Sequence, residues 1–430
     1  MEYYSLNGSS QKVSFKEAVI KGLAEDKGLY FPEQIDSLPN EFIKNLELFS
    51  DEEIAFNAIK QFVGDEIPTK ELKQIISETL SFPFPVVPVE DNISTLELFH
   101  GPTMAFKDVG ARFMARCLGY FNKKNHKEVT VLVATSGDTG GAVASGFLDV
   151  ENVKVVILYP SKKVSEVQEK QLTTLGQNIY ALEVNGTFDD CQAMVKKAFL
   201  DTSITDFKQL TSANSINVAR WLPQMFYFFF AYKQLKSLAK KLIFSVPSGN
   251  FGNICAGMMA KKIGLPIHQF IASTNANDIV PNYMLTQLYE PKPSKQTISN
   301  AMDVGDPSNF IRIQKIYNND FDALRKDLHS YPFTDDETRQ AMKHLYENCD
   351  YIADPHGAVG YLGLKKYGVP PNTHGVFLET AYPIKFLDIV EPVINKKLTY
   401  PSQIQEVINK QKKAVFINSY DELKSFLLNN

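Results

Sequence analysis

Four short segments carry residue types that chemistry uses, and each borders an apolar run. The first is Leu98-Phe-His-Gly-Pro-Thr-Met-Ala-Phe-Lys-Asp108. A turn on Gly101-Pro102 leads into a helix expected to begin near Ala105 or Phe106, so Lys107 falls in its first turn. Apolar neighbours and the helix dipole both disfavour an ammonium there. The free amine that results can form a Schiff base. Read alone, a lysine beside an aspartate is more often a solvated surface pair. The second segment is Thr135-Ser-Gly-Asp-Thr-Gly-Gly141, with a helix expected from Ala142. Its exposed N–H groups suit a carboxylate, though a plain capped turn has the same composition. The third is Pro247-Ser-Gly-Asn-Phe-Gly-Asn253. Its two glycines let the backbone approach a phosphate closely, or else form a structural turn. It is neither a P-loop nor a dinucleotide fingerprint, because both glycine spacings are missing. The fourth, Leu378-Glu-Thr-Ala-Tyr-Pro-Ile-Lys385, offers the hydroxyl of Thr380, or a turn residue before Pro383.

These segments need a frame. Apolar, β-branched runs at 129–134, 153–159, 242–247, 267–272 and 375–379 alternate with helical patterns. That rhythm predicts parallel strands joined by βαβ crossovers. Ligands of such sheets bind beyond the carboxyl ends of the strands, where three of the four segments lie. The four groups are therefore expected at strand ends of one sheet. Earlier in the chain, helices are expected at 14–24, 51–63 and 69–80, the first opened by a Ser14/Glu17 capping box. The prolines 83, 85 and 88 then punctuate the chain. The expected organisation is a small, mainly helical N-terminal domain over 1–92 and an α/β catalytic core over 93–430. Within the core, a smaller lobe at about 125–220 is expected to move when substrate binds.

Composition narrows the function. The 430 residues are 44% hydrophobic and 22% charged, with a formal charge of −4. That is a globular balance, and it gives no footprint for nucleic acid or an anionic membrane. The apolar run at 225–231 is far shorter than the ~20 residues of a membrane span and reads as a buried helix. Cys117, Cys191, Cys255 and Cys349 form no C-x-x-C pair, so a zinc or redox motif is absent and buried free thiols are expected. The opening residues show no basic stretch before an apolar run, and a cytoplasmic location is expected.

Taken together, an activated lysine, a glycine-rich anion cradle, a hydroxyl-rich turn and a lone hydroxyl match the needs of pyridoxal phosphate: aldehyde, phosphate and ring nitrogen. His100-Gly-Pro-Thr-Met-Ala-Phe-Lys-Asp108, Thr135-Ser-Gly-Asp-Thr-Gly140 and Pro247-Ser-Gly-Asn-Phe-Gly252 are, as a set, similar to the threonine synthases. Gly22-Leu-Ala-Glu-Asp-Lys-Gly-Leu-Tyr30, Ser212-Ala-Asn-Ser-Ile-Asn217, Ser299-Asn-Ala-Met-Asp303 and Asp354-Pro-His-Gly-Ala358 also resemble segments of that family. The resemblance runs from the first helix to about Lys385.

The resemblance implies the tryptophan-synthase-β-like pyridoxal-phosphate fold, an α/β architecture with parallel-sheet lobes beside the small, mainly helical N-terminal domain. It carries Lys107 over as the Schiff-base and catalytic lysine. Gly249, Asn250, Phe251, Gly252 and Asn253 match the loop for the cofactor phosphate, and Thr380 the hydroxyl facing the pyridine nitrogen. Ser136, Gly137, Asp138 and Thr139 match the turn that holds the substrate carboxylate. Asn214, Ser215 and Arg220 match positions near the substrate phosphate. Relatives in the wider fold often carry Asn where Asp138 stands. A carboxylate beside the cofactor's phenolic oxygen is repelled if both are ionised, so Asp138 is expected to be protonated or turned away. Gly357, where some members have alanine or threonine, is expected to be a neutral departure. Tyr382 stands where histidine is frequent, so no proton transfer is assigned to it. The implied reaction turns O-phospho-L-homoserine and water into L-threonine and phosphate, in a monomer or homodimer. A related dehydratase, a phospho-amino-acid lyase and a non-catalytic phospho-metabolite binder are the alternatives.

Overall fold

Helix starts are set locally. The Ser14 hydroxyl accepts from the backbone of Glu17, whose carboxylate accepts from the N–H of Ser14, and the helix Phe15–Lys21 follows. Ser50 and Glu53 repeat this reciprocal box at the head of Asp51–Val63, which buries Ile54, Ala55, Ala58, Ile59 and Phe62 at helical spacing. The expected helix at 69–80 is Thr69–Thr79. In a computed structural model that describes residues 1–123 and 128–430, these helices accompany a three-stranded antiparallel sheet of Val13–Ser14, Glu2–Ser5 and Tyr30–Pro32. The N-terminal unit is therefore mainly helical, as expected, with a small antiparallel sheet added to it. Strands of two to four residues are too short to show alternation in sequence.

The five expected strands all form, and they divide between two sheets, as the implied parallel-sheet lobes require, rather than sharing one. The six-stranded sheet runs Leu328–Pro332, Ile267–Thr274, Lys241–Pro247, Thr373–Glu379, Ile93–Glu97, Val86–Glu90. It is parallel except for its last pair. The five-stranded sheet runs Val415–Ile417, Ile179–Val184, Val153–Pro160, Val129–Ala134, Gln209–Thr211 and is parallel throughout. Burial on both faces explains the unbroken apolar runs: every residue of Val129–Ala134 and of Thr373–Glu379 is buried.

Two expected boundaries shift. Val86–Glu90 pairs with Ile93–Glu97 inside the large sheet, so a cut at 92 would divide a hairpin. The small lobe's expected start at 125 lies outside the described residues, and its sheet also recruits Val415–Ile417 from the far end of the chain. The apolar run at 225–231 lies in the buried helix Met225–Leu235. Phe228 there meets Phe244 and Phe270 of the large sheet, ring centroids 5.1 and 5.9 Å away. Cys117, Cys191 and Cys255 are buried and Cys349 half-buried, all as free thiols. No helix among the described residues is long and apolar enough to cross a membrane.

Candidate active site

Lys107 is the first residue of the helix Lys107–Asn122, with Phe106 as its cap. The loop before it is fastened to the end of strand Thr373–Glu379. Phe106 N donates to Thr380 O at 2.9 Å, Tyr382 N donates to Met104 O at 3.1 Å, and Ala105 bridges Ala381. Inside the loop, the buried Asp108 carboxylate accepts from Thr103 N at 2.9 Å and Thr103 Oγ1 at 2.5 Å. A Cβ at Gly101 would sit 2.4 Å from Asp108 Oδ2, so the loop can fold over that carboxylate only with glycine there. Lys107 and the backbone of Thr380 are thereby neighbours, although far apart in the chain. Among the described residues neither the Lys107 amine nor the Thr380 hydroxyl has a hydrogen-bond partner. Burial pushes the Lys107 ammonium down to about 8; Asp138 opposes this, and Lys385 and Arg220 reinforce it.

The second sheet supplies Asp138. The helix after Val129–Ala134 begins at Asp138 itself, four residues earlier than expected. Thr135 explains the early start, because its hydroxyl accepts from Gly137 N at 2.9 Å and Gly140 N at 2.8 Å. Gly137 takes φ 134, and a Cβ on it would run into the Gln168 side chain. The hydroxyls of Ser136 and Thr139 are half-buried and bond to no described group. Asp138 is buried, and its Oδ1 accepts from Lys385 Nζ at 2.6 Å and Gln168 Nε2 at 3.0 Å. Burial alone would raise its carboxyl, but Lys385 and then Lys107 outweigh burial and hold it well below the usual carboxylate range. Of the two expectations for Asp138, the protonated form is thus corrected. A neighbouring lysine makes the ionised form the stable one.

The glycine cradle is ordered from outside. Asn250 Nδ2 donates to Ser215 Oγ at 2.7 Å, and Ser308 N donates to Asn250 Oδ1 at 2.6 Å. Phe251 holds a left-handed φ of 59. A Cβ on Gly249 would lie 2.6 Å from Met302 Cα, so the loop and the Asn300–Met302 turn touch backbone to backbone. Behind the cradle, the buried Arg312 donates to Ser215 O, Ile216 O, Asn309 Oδ1 and Tyr30 O. It therefore joins the N-terminal unit to the cradle. Arg220 is buried, donates to Ala213 O, and leaves its Nε without a partner. Asn214 Oδ1 is likewise buried and unpartnered.

A chain of buried polar groups links Thr380 to the cradle. Ala381 N donates to Asp354 Oδ2 at 3.1 Å, Asp354 Oδ1 meets His356 Nδ1 at 2.8 Å, and His356 Nε2 accepts from Ala301 N at 3.2 Å. Asp354 N donates to Glu379 Oε1 at 2.6 Å. Burial, followed by the charge of Asp354, pushes the Glu379 carboxyl well up. Gly357 is packed against this group. A Cβ on it would fall 1.5 Å from Glu379 Oε2 and 2.4 Å from its Cδ, and Glu379 is fully buried. Alanine at 357 is therefore not neutral in this chain. Gly357→Ala is expected to destabilise by about 1–3 kcal/mol, as overpacking does, read as a lower midpoint of thermal unfolding. An unchanged midpoint would restore the neutral reading.

Sequence reasoning missed several of these groups. Lys385 closes the fourth segment, and its place just past a strand end is a usable signal in the sequence. Gln168, Arg312 and Glu379 carry no local signal, because their partners are remote in sequence.

The residues present fit pyridoxal phosphate. Both amide atoms of Asn253 are buried beside the cradle without a partner, the Lys107 amine is unpaired, and Gly249 admits no side chain. The comparisons agree. Residues 94–378 match the model of the pyridoxal-phosphate dependent enzymes, and residues 2–80 that of the threonine synthase N terminus. A threonine synthase of Buchnera aphidicola (subsp. Baizongia pistaciae) is 42% identical over 431 residues, covering all of both chains. The crystal structure of threonine synthase from Escherichia coli superposes with a TM-score of 0.94 at 40% identity over the full length of both. The pyridoxal-phosphate-bound threonine synthase from Brucella melitensis gives 0.93 at 33% identity, covering 100% of this chain and 99% of that one. With its N-terminal unit, its cofactor core and its end-to-end relatives in agreement, the chain belongs to the threonine synthase family of pyridoxal-phosphate-dependent enzymes.

Proposed function

We propose that this chain eliminates phosphate from O-phospho-L-homoserine and adds water at Cβ, giving L-threonine and phosphate, in the cytoplasm and as a monomer or homodimer. The observation that carries the reading is the Lys107 amine: half-buried, unpaired, lowered to about 8 and fastened by its loop to Thr380. Bound pyridoxal phosphate supplies delocalisation of the electron pair left when a proton leaves a substrate carbon. Lys107 anchors the cofactor aldehyde and, once freed, accepts the Cα proton. Gly249, Asn250, Phe251, Gly252 and Asn253 hold the cofactor phosphate. The Thr380 hydroxyl would serve the ring nitrogen, and without a carboxylate's charge it would not hold that nitrogen protonated. The N–H groups around Ser136, Gly137, Asp138 and Thr139 take the substrate carboxylate at a helix N-terminus.

Arg220 and Asn214 are suited to the substrate phosphate, each with a buried polar atom lacking a partner. Ser215 sits between them and the cradle through Asn250. The N-terminal unit is accessory and the rest of the chain is the catalytic core, whose smaller lobe closes to keep bulk water from the proton transfers. The test is product analysis of the cofactor-loaded protein with O-phospho-L-homoserine. Threonine and phosphate in equal amounts are expected. Ammonia and an oxo acid would instead identify a dehydratase-type lyase, and no turnover would point to a binding paralogue.

A further inference from the structure

A second lysine in the site has no part in the reaction as written. Lys385 is fully buried, and its Nζ has two partners: Asp138 Oδ1 at 2.6 Å and Thr103 O at 2.9 Å. Asp138 heads a helix of the five-stranded sheet, while Lys385 follows the strand Thr373–Glu379 of the six-stranded one. Thr103 opens the loop to Lys107 and holds Asp108 by two hydrogen bonds. Two glutamines of the small lobe brace the same point: Gln168 donates to Asp138 Oδ1 at 3.0 Å and Gln171 to Thr103 O at 3.2 Å. One ammonium thus ties together both sheets and the Lys107 loop.

We propose that Lys385 is a positioning residue for the chemistry of Lys107: it pins the Asp138 carboxylate and the Thr103 loop to one point, so that a buried negative and a buried positive charge flank the reactive amine and offset one another. The proposal rests on Lys107 being that amine. The charged groups facing Lys107 are Asp138, Lys385 and Arg220, with Asp108 beside it. Asp138 and Lys385 act on it with opposite signs, the first favouring the ammonium and the second the free amine. Removing either alone unbalances the site, and the two losses push in opposite directions.

The experiment follows the amine rather than turnover. In the full-length protein freed of cofactor, acylation of Lys107 is measured against pH and located by peptide mass. The visible absorbance of the cofactor-loaded protein is titrated in parallel. Lys385→Met leaves the Asp138 charge without its cation and is expected to raise the half-labelling pH by about one unit. Asp138→Asn leaves Lys385 unpaired and is expected to lower it. The double variant, which removes the pair as a neutral unit, is expected to fall between them, and Lys385→Arg to stay near wild type. A buried charge without its partner can prevent folding. If Lys385→Met does not fold, Asp138→Asn against the double variant carries the same comparison, with an upward return expected. Single variants that shift the midpoint in the same direction, a midpoint unmoved by Lys385→Met in a folded protein, or no upward return in the double variant would overturn the proposal. A protein that takes up no cofactor would overturn the proposed reaction instead, and labelling would still report on Lys385.

Discussion

Lys107→Ala is expected to lower phosphate release from O-phospho-L-homoserine by about three orders of magnitude or more, the combined loss of a covalent anchor and a general base. The mutant is expected to fold, because the Lys107 side chain is half-buried and makes no hydrogen bond that its removal would orphan. It is also expected to lose the borohydride-bleachable yellow colour of the wild type. In the cofactor-free wild type, acylation of Lys107 should fall on the acid side through about pH 8, since the ammonium formed below that value is not a nucleophile. An unperturbed lysine would place the same limb near 10.5. Burial is the main cause of the difference, so the shift belongs to the fold and not to the residue type. Equal rates from wild type and Lys107→Ala would remove the basis of the proposed reaction.

Gly249→Ala is expected to weaken cofactor binding by about ten- to a hundredfold, about 1.4–2.8 kcal/mol. The reason is geometric. An added Cβ would lie 2.6 Å from Met302 Cα and 3.2 Å from Ala301 O. Both are backbone atoms and cannot swing aside as a side chain would. Nor is the opposing turn free to retreat, because Ala301 N is held by His356, and Met302 N by Ser299 O at 2.9 Å. The cradle must therefore move, and its N–H groups with it. Equilibrium titration with pyridoxal phosphate, followed by absorbance, measures the effect. Wild-type affinity in the variant would mean that this loop does not hold the phosphate.

Much of this site was legible along the chain. The capping box at Ser14, the helix at 51–63, the strand Val129–Ala134, the place of Lys107 in a first helical turn and the glycine cradle all depend on residues within a few positions of one another. Local propensity and backbone sterics act over that range, so the sequence by itself determined them. Which strands share which sheet was not legible, because parallel pairing is decided by crossovers and not by the composition of any one strand. The charge state of Asp138 was misjudged for a related reason. Its partner Lys385 is brought in from the far end of the catalytic core, and Lys385 in turn bonds Thr103, 282 residues away in the chain. Gly357 read as interchangeable with alanine until Glu379 was seen buried against it. Long-range burial sets the local dielectric and the available space, and with them which side chains are charged and which positions admit a methyl group. Those properties only the tertiary structure decided.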